Sequence, residues 1–311
     1  MKKIVPNLIK NIKFFLANTK SPIVVLLGPT ASGKTKLSLA IAGAIGGEII
    51  SADSRQLYQG MEIGTDALLP GDQEGVPHHM LGFLDPNSYY SLSDYKYKAK
   101  NIIKDIYKRK KVPMLVGGTG LYIKAIVDDY NIPRSEPNFE LRKKLQKEHE
   151  EFGADHLHKK LAEIDPEAAK TIHSNNIRYL IRALEINYET KNTKTPNKGE
   201  EGFAAFFIGL DWPREVLYQR INFRVDQQFK RGLIDEVKKL REHITNRQAP
   251  AFSSLGCKEI LDYLEGHISK EEATELIKKN TRNYAKRQMT WFRRNKDIMW
   301  LKGADVEKEL N

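Results

Sequence analysis

Residues 22–35 read PIVVLLGPTASGKT, a short apolar run that passes directly into a glycine-containing loop. The run at 22–27 is rich in residues that favour strands and predicts a buried β-strand. The loop at 28–35 has the pattern of a phosphate-binding loop, whose backbone wraps an anion at the positive end of the next helix. In this pattern Lys34 neutralises phosphate oxygens and Thr35 offers a hydroxyl to Mg²⁺. The stretch predicts a strand–loop–helix unit that binds phosphate, as in nucleotide-binding and ATP-binding proteins.

The segments that follow alternate between helix and strand patterns. Apolar residues recur at helical spacing over residues 36–45, and the glycine pair at 46–47 ends that pattern. Residues 48–51 predict a second strand, residues 92–110 predict a basic amphipathic helix, and residues 112–117 predict a third strand. This alternation predicts an α/β fold with a mainly parallel sheet core covered by helices.

The second half of the chain begins with a different pattern. From about residue 137 apolar residues are spaced helically along charged segments, and residues 176–188 predict another helix. Residues 189–202 have the composition of an exposed loop, residues 203–210 return as a strand, and everything after residue 213 is predicted to be helical. The predicted domains are a basic extension at 1–21, a phosphate-loop core at 22–130 and 203–311, and a helical insert at 131–202.

Composition limits the partners and the compartment. The 311 residues hold 51 basic and 40 acidic side chains, and the net charge of +11 favours a polyanion, either nucleic acid or an anionic membrane surface. The single cysteine, Cys257, excludes an internal disulfide and fits a reducing compartment. No apolar run approaches the ~20 residues of a membrane helix, and neither a secretory signal nor a requirement for a dimer is evident. We expect a cytoplasmic monomer without a membrane partner.

The third predicted strand lacks an expected acid. Nucleotide hydrolases with this loop usually end a later core strand in an aspartate that holds Mg²⁺. Here the run VPMLV at 112–116 ends in Gly117, Gly118 and Thr119. Either the metal ligand lies elsewhere, or the bound phosphate does not belong to a nucleotide that is hydrolysed. Asp53, at the end of the second strand, is the remaining candidate acid, and its position alone fits a functional residue or a simple turn residue.

A basic segment with aromatic residues lies near the C-terminus. Residues 281–296, TRNYAKRQMTWFRRNK, contain six basic residues, three aromatic residues and no acid. Such a mixture suits a phosphate backbone and exposed bases. The alternative is a solvated helix whose aromatic side chains pack on the core.

These segments, in this order, resemble the tRNA dimethylallyltransferase (tRNA isopentenyltransferase) family from about residue 21 to residue 301. The matching runs are GPTASGKT (28–35), ISADSRQLYQGMEIGT (50–65), VPHH (76–79), VGGTGLY (116–122), HSNNIRYLIRALEI (173–186), PREVLYQRINFRVD (213–226), LGCKEI (255–260) and TRNYAKRQMTWFR (281–293). The resemblance implies transfer of a dimethylallyl group from dimethylallyl diphosphate to N6 of the adenosine 3′-adjacent to the anticodon, in tRNAs that read codons beginning with U. Diphosphate would leave as carbon is attacked, so the hydrolase aspartate has no task.

The resemblance also implies roles for individual residues. Asp53 resembles the general base that takes a proton from the adenine amine, and Thr119 lines the same reaction channel. The implied diphosphate ligands, which act with Mg²⁺ bound through Thr35, are Gly28, Pro29, Thr30, Ala31, Ser32, Gly33, Lys34, Thr35 and Arg224.

The implied contacts with the tRNA anticodon stem-loop are spread over six places along the chain. They are Asp53, Ser54, Arg55 and Gln56; Thr119; Arg142 with Arg178, Tyr179, Leu180, Ile181 and Arg182; Ser253, Ser254, Leu255, Gly256, Cys257 and Lys258; and Lys286, Arg287, Gln288, Met289, Thr290, Trp291, Phe292 and Arg293. Two positions depart from the family pattern. Cys257 stands where tyrosine is usual, and Tyr179 stands where many relatives have arginine.

Three other functions share parts of this pattern. A small-molecule or nucleotide kinase would use the phosphate loop, but would turn over ATP and leave the segment DSRQ at 53–56 unexplained. An adenylate isopentenyltransferase would share the donor site but would not need the basic segment. A non-catalytic RNA-binding protein would not need Lys34, Thr35 and Asp53 together.

Overall fold

The computed structural model describes residues 3–132, 137–190, 202–244 and 249–311. The chain divides into two compact units, one formed by Met1–Val127 with Phe203–Asn311 and the other by Asp128–Gly202. The first unit contains the sheet and the phosphate loop. In the described part of the chain no helix is long and apolar enough to cross a lipid bilayer.

The strands form one parallel sheet in the first unit. Within the described residues they are β1 (Pro22–Leu27), β2 (Gly47–Ser51), β3 (His78–His79), β4 (Val112–Gly117), β5 (Ala204–Asp211) and β6 (Met299–Lys302). Their order is β3-β2-β4-β1-β5-β6, and every neighbouring pair is parallel. The predicted α/β fold with a parallel sheet is confirmed. The expectation that everything after residue 213 is helical is wrong, because β6 pairs with the outer edge of β5.

Helices cover both faces of this sheet and form most of the second unit. In chain order they are α1 (Ile4–Ala17), α2 (Lys34–Ile45), α3 (Glu62–Thr65), α4 (Leu92–Lys108), α5 (Gly120–Val127), α6 (Phe139–Phe152), α7 (Ala154–Ile164), α8 (Pro166–Thr171), α9 (Ile177–Thr190), α10 (Arg214–Lys230), α11 (Leu233–His243), α12 (Cys257–Leu264), α13 (Lys270–Phe292) and α14 (Gly303–Leu310). Short 3₁₀ turns lie at Pro70–Asp72 and Pro250–Ser253.

Alternate side chains of the central strands enter two apolar cores. Ile23 and Val25 of β1 pack in the core that includes α4 and α5, whereas Val24 and Leu26 pack in the opposite core with α1 and α2. This alternation follows from the two-residue period of a strand, and burial on both faces explains why β1 is a continuous apolar run.

The N-terminal segment is part of the first unit. Helix α1 buries Val5, Leu8 and Ile12, and its first backbone N–H groups, those of Ile4 and Val5, donate to the Glu309 carboxylate of α14 at 2.7 and 2.8 Å. An acid at a helix N-terminus satisfies unpaired donors and interacts favourably with the helix dipole. The segment predicted as a basic extension, residues 1–21, therefore contains helix α1, and this helix is hydrogen bonded to α14 at the end of the chain.

The second unit has a helical core of its own. Leu145, Leu157, Leu161, Leu180 and Leu184 are buried between its helices α6, α7 and α9. The predicted insert boundaries at 131 and 202 stay predictions, and most of the predicted loop at 189–202 lies outside the described residues.

A glycine turn at the end of β4 is imposed by close backbone approach. The Ala52 N–H donates to the Val116 carbonyl at 2.8 Å, and the Thr119 N–H donates to the Ala52 carbonyl at 2.9 Å. Residue 52 thus passes directly over Gly117, where an added Cβ would lie 2.3 Å from the Ala52 carbonyl oxygen. Gly118 and Gly120 lie close to the Gln288 and Trp291 side chains of α13. Close backbone packing therefore explains the glycine at residue 117, at the strand end where the expected aspartate is missing.

We expect Gly117→Ala to lower the free energy of unfolding by about 2–3 kcal/mol, because the backbone of residue 52 must move to admit the methyl group. Gly43→Ala is the matched control. Gly43 lies inside α2 with no described atom within 4 Å of an added Cβ, so alanine there should stabilise by roughly 0.5–1 kcal/mol. Urea unfolding of both variants measures the difference. Equal effects would contradict the close approach at Gly117.

Candidate active site

The phosphate loop is held in place through its backbone carbonyl groups. Arg220 Nε donates to the Ala31 carbonyl at 2.9 Å, and the buried Trp212 indole donates to the Ser32 carbonyl at 3.0 Å. The Ser32 hydroxyl is buried and has no hydrogen-bond partner among the described residues. Because buried polar groups are normally paired, this unpaired hydroxyl fits a loop that binds an anion.

Two cations converge on this loop. Lys34 Nζ donates to the Pro29 carbonyl at 2.8 Å, and Arg224 donates to the Thr30 hydroxyl at 3.0 Å and to the Thr65 carbonyl at 3.0 Å. Burial and the Arg224 guanidinium lower the pKa of Lys34 to about 8, against the opposing charge of Asp53. Because Lys34 and Arg224 are both positive and partly desolvated, together they favour the binding of an anion.

Asp53 and Thr119 lie at the carboxyl ends of the adjacent strands β2 and β4. The Asp53 carboxylate accepts from the Arg55 N–H at 2.9 Å, and the Thr119 hydroxyl oxygen accepts from the Ser54 N–H at 3.0 Å. The segment that carries Asp53 is therefore hydrogen bonded, through the Ser54 N–H, to Thr119 of the glycine turn. Its charge also acts on the Lys34 ammonium of the phosphate loop. This is the sheet edge at which parallel folds bind ligands.

Sequence reasoning missed several residues of this site. Tyr284 of α13 is hydrogen bonded to the Thr119 side chain, and burial raises its pKa to about 12, so it stays protonated at neutral pH. Asp66 accepts from Arg231 at 2.7 Å and lies 3.5 Å from Arg224. Arg220 precedes Arg224 by one helical turn of α10, a spacing that could have indicated that both face the loop.

The basic segment of α13 has a buried face and an exposed face. Gln288 and Phe292 are buried, and Met289 is half-buried. The exposed predicted contacts are Lys286, Arg287, Thr290, Trp291 and Arg293. Arg293 lies 3.5 Å from Asp211 and is 65% exposed. The exposed cations remain predicted tRNA contacts.

The predicted segment at 253–258 reaches the site through Arg55. Arg55 Nη1 donates to the Pro250 carbonyl at 2.7 Å, at the start of the turn that leads into this segment. Ser253 and Lys258 are exposed, Leu255 is half-buried, and Ser254, Gly256 and Cys257 are buried. Burial raises the pKa of the Cys257 thiol to about 12, so this departure from the family pattern places a neutral thiol in an apolar core. Gln56 remains half-buried beside the Thr65 carbonyl.

Predicted tRNA contacts of the second unit surround a buried acid. Arg142 donates to the Glu185 carboxylate at 2.8 and 2.9 Å, and Arg182 pairs with the same carboxylate. Leu180 and Ile181 are buried, whereas Arg178 and Tyr179 are exposed. A role of these residues in tRNA contact stays a prediction.

Known proteins are similar to this chain in sequence and in structure. A family model described as IPP transferase matches residues 56–295. A tRNA dimethylallyltransferase of Halothermothrix orenii is 46% identical, covering 93% of this chain and 90% of that protein, and one of Bacillus subtilis is 44% identical, covering 91% of each.

Solved structures agree with these sequence relatives. The full-length tRNA isopentenylpyrophosphate transferase from Bacillus halodurans has a TM-score of 0.68 at 39% identity, covering 94% of this chain and 97% of that one. A eukaryotic dimethylallyltransferase acting on tRNA has a TM-score of 0.77 at 29% identity, covering 93% and 75%.

We expect inorganic diphosphate to bind more weakly as the pH rises through about 8, since Lys34 loses its charge there. Between pH 7 and pH 9 the dissociation constant should increase about tenfold, as expected for loss of one charged ligand group. Lys34→Arg keeps its charge over this range and is the control for titration of diphosphate itself. Calorimetry gives both ratios. The same ratio for both proteins would contradict the assigned role of Lys34.

Proposed function

Since this chain belongs to the tRNA dimethylallyltransferase family, we propose that it transfers the dimethylallyl group of dimethylallyl diphosphate to a tRNA. The acceptor is the exocyclic N6 of the adenosine 3′-adjacent to the anticodon, in tRNAs that read codons beginning with U. The protein is a transferase, and its relatives do not favour a P-loop kinase. One observation carries the proposal: the cationic phosphate loop lies beside Asp53 and Thr119, at a sheet edge where β4 ends in glycines.

The reaction is a substitution at carbon. The adenine N6 attacks the first carbon of the dimethylallyl group, so a carbon–nitrogen bond forms as the carbon–oxygen bond to diphosphate breaks. The bonding electrons leave with diphosphate, and the N6 proton passes to the Asp53 carboxylate. The adenosine must leave its stack to reach Asp53, which implies base flipping. We assign Thr119, whose hydroxyl oxygen accepts from the Ser54 N–H, to the lining of the same reaction channel, as the family resemblance implies.

The donor site supplies electrostatic stabilisation. Lys34, Arg224 and the loop N–H groups neutralise the charge that develops on the leaving diphosphate. Thr35 lies exposed in the first turn of α2, and a hydroxyl there suits Mg²⁺, which takes few protein ligands and keeps several waters. When bound, Mg²⁺ would add positive charge to the diphosphate.

The acceptor is the tRNA anticodon stem-loop, contacted by the exposed cations of α13 and by the other predicted segments. The acid and the donor loop lie within one unit of one chain, so a monomer suffices for the chemistry. We further propose a cytoplasmic location for this activity. The contact with tRNA is supported by the family and by the exposure of Lys286, Arg287 and Arg293.

We expect Asp53→Asn to lower the transfer rate by ~10²–10⁴, because the amide keeps the shape but cannot take the proton. Its tRNA affinity should stay within a few-fold of the parent. The matched control is Asp85→Asn, because Asp85 is exposed and also accepts a backbone N–H two residues on, from Asn87 at 2.7 Å. Single-turnover transfer measures the rates. Near-normal transfer by the Asp53 variant would remove this residue from the mechanism.

We expect Lys286→Ala and Arg287→Ala each to weaken tRNA binding and to reduce the slope of log K against log salt by about one unit. Lys270→Ala is the control, because Lys270 is exposed on the same helix but lies roughly 24 Å away along its axis. Filter binding at several salt concentrations measures the slopes. An unchanged slope for both variants would contradict tRNA contact by this face of α13 and favour a solvated surface.

A further inference from the structure

Gln288 differs from its neighbours in the basic segment of α13. It is only 5% exposed, whereas Lys286 and Arg287 on the adjacent positions are exposed. Its side-chain amide makes two hydrogen bonds to distant parts of the chain. Gln288 Oε1 accepts from the Thr30 N–H of the phosphate loop at 3.0 Å, and Gln288 Nε2 donates to the Gly118 carbonyl at 3.0 Å.

Thr30 is consequently held from two directions. Gln288 binds its backbone N–H, and Arg224 Nη1 donates to its hydroxyl at 3.0 Å. Arg224 also donates to the Thr65 carbonyl, so it is fixed between the loop and α3. Thr30 is thus one of the groups that hold the Arg224 guanidinium at the loop, and Gln288 holds Thr30.

The glycine turn of β4 is shaped to receive this amide. An added Cβ at Gly118 would lie 2.1 Å from Gln288 Nε2, and one at Gly120 would lie 2.2 Å from the Trp291 ring. Glycine at these positions leaves the space that the Gln288 amide and the Trp291 ring occupy. A carboxamide supplies the required acceptor and donor together, which neither a carboxylate nor a cation does.

We propose that Gln288 is a positioning residue for the donor diphosphate, which fixes Thr30 and, through Thr30, Arg224 against the end of β4. This rests on the proposed function and divides α13 by role. The buried face holding Gln288 organises the donor site, and the exposed face with Lys286 and Arg287 contacts tRNA. Gln288, within the segment predicted to contact tRNA, then acts without touching the RNA.

The test compares diphosphate and tRNA binding in the full-length protein. Gln288→Met keeps the length and volume of the side chain and removes both hydrogen bonds. We expect the dissociation constant of inorganic diphosphate and the KM of dimethylallyl diphosphate to rise about tenfold, as for the loss of two hydrogen bonds. The affinity for an anticodon stem-loop RNA should stay within twofold, with an unchanged salt slope. Lys286→Ala should give the converse: a reduced salt slope with unchanged diphosphate affinity.

Gln288→Glu provides a second variant if the methionine variant is poorly folded by circular dichroism. It keeps the acceptor for Thr30, loses the donor to Gly118 and adds negative charge beside the loop, so diphosphate should bind at least tenfold more weakly. Unchanged diphosphate affinity in the folded variants, or a reduced salt slope in them, would overturn the proposal. A parent protein that binds diphosphate but transfers nothing to tRNA would instead contradict the proposed function, and the diphosphate arm would still decide the role of Gln288.

Discussion

The close crossing of the chain at Ala52 and Gly117 is the constraint on which the rest of the site depends. Two backbone hydrogen bonds and the bond from the Ser54 N–H to the Thr119 hydroxyl join the ends of β2 and β4. They place an acid and a hydroxyl at one sheet edge next to the loop that follows β1. Because a side chain at residue 117 would collide with this crossing, the position that carries an aspartate in many phosphate-loop hydrolases is closed to any acid.

The same turn leaves space for the side chains of α13, and this helix therefore takes part in two proposed functions. Its buried face contacts the glycine turn and the phosphate loop, and its exposed face presents cations to solvent. The donor site balances Lys34 and Arg224 against Asp53 and Asp66. The two acids favour the close approach of two cations in a partly buried place, and an incoming diphosphate adds further negative charge beside them.

Local patterns predicted the elements that local physics controls. The strand–loop–helix unit follows from β-favouring residues, glycines and helical spacing within residues 22–45, whereas the position of Asp53 at a strand end fitted a functional residue or a turn residue equally. Contacts between distant segments were not predictable in this way. Trp212 and Arg220 bind the phosphate loop although they lie about 180 residues away in the sequence. Strand β6 likewise depends on pairing with the distant strand β5. The many charged residues at 281–296 suggested an exposed helix and gave no indication that Gln288 is buried. The helical spacing of Thr281, Ala285, Gln288 and Phe292 could have indicated a buried face.

The most direct test is the fate of the donor when the protein meets an unmodified tRNA transcript, dimethylallyl diphosphate and Mg²⁺ in ATP-free buffer. Nucleoside mass spectrometry should find one dimethylallyl group on N6 of the adenosine 3′-adjacent to the anticodon, with an equal amount of diphosphate released. A parallel reaction with ATP should release no phosphate above background. Absence of the modified nucleoside, together with tRNA-stimulated ATP hydrolysis at rates on the order of 1 s⁻¹, would contradict the account and favour phosphoryl transfer.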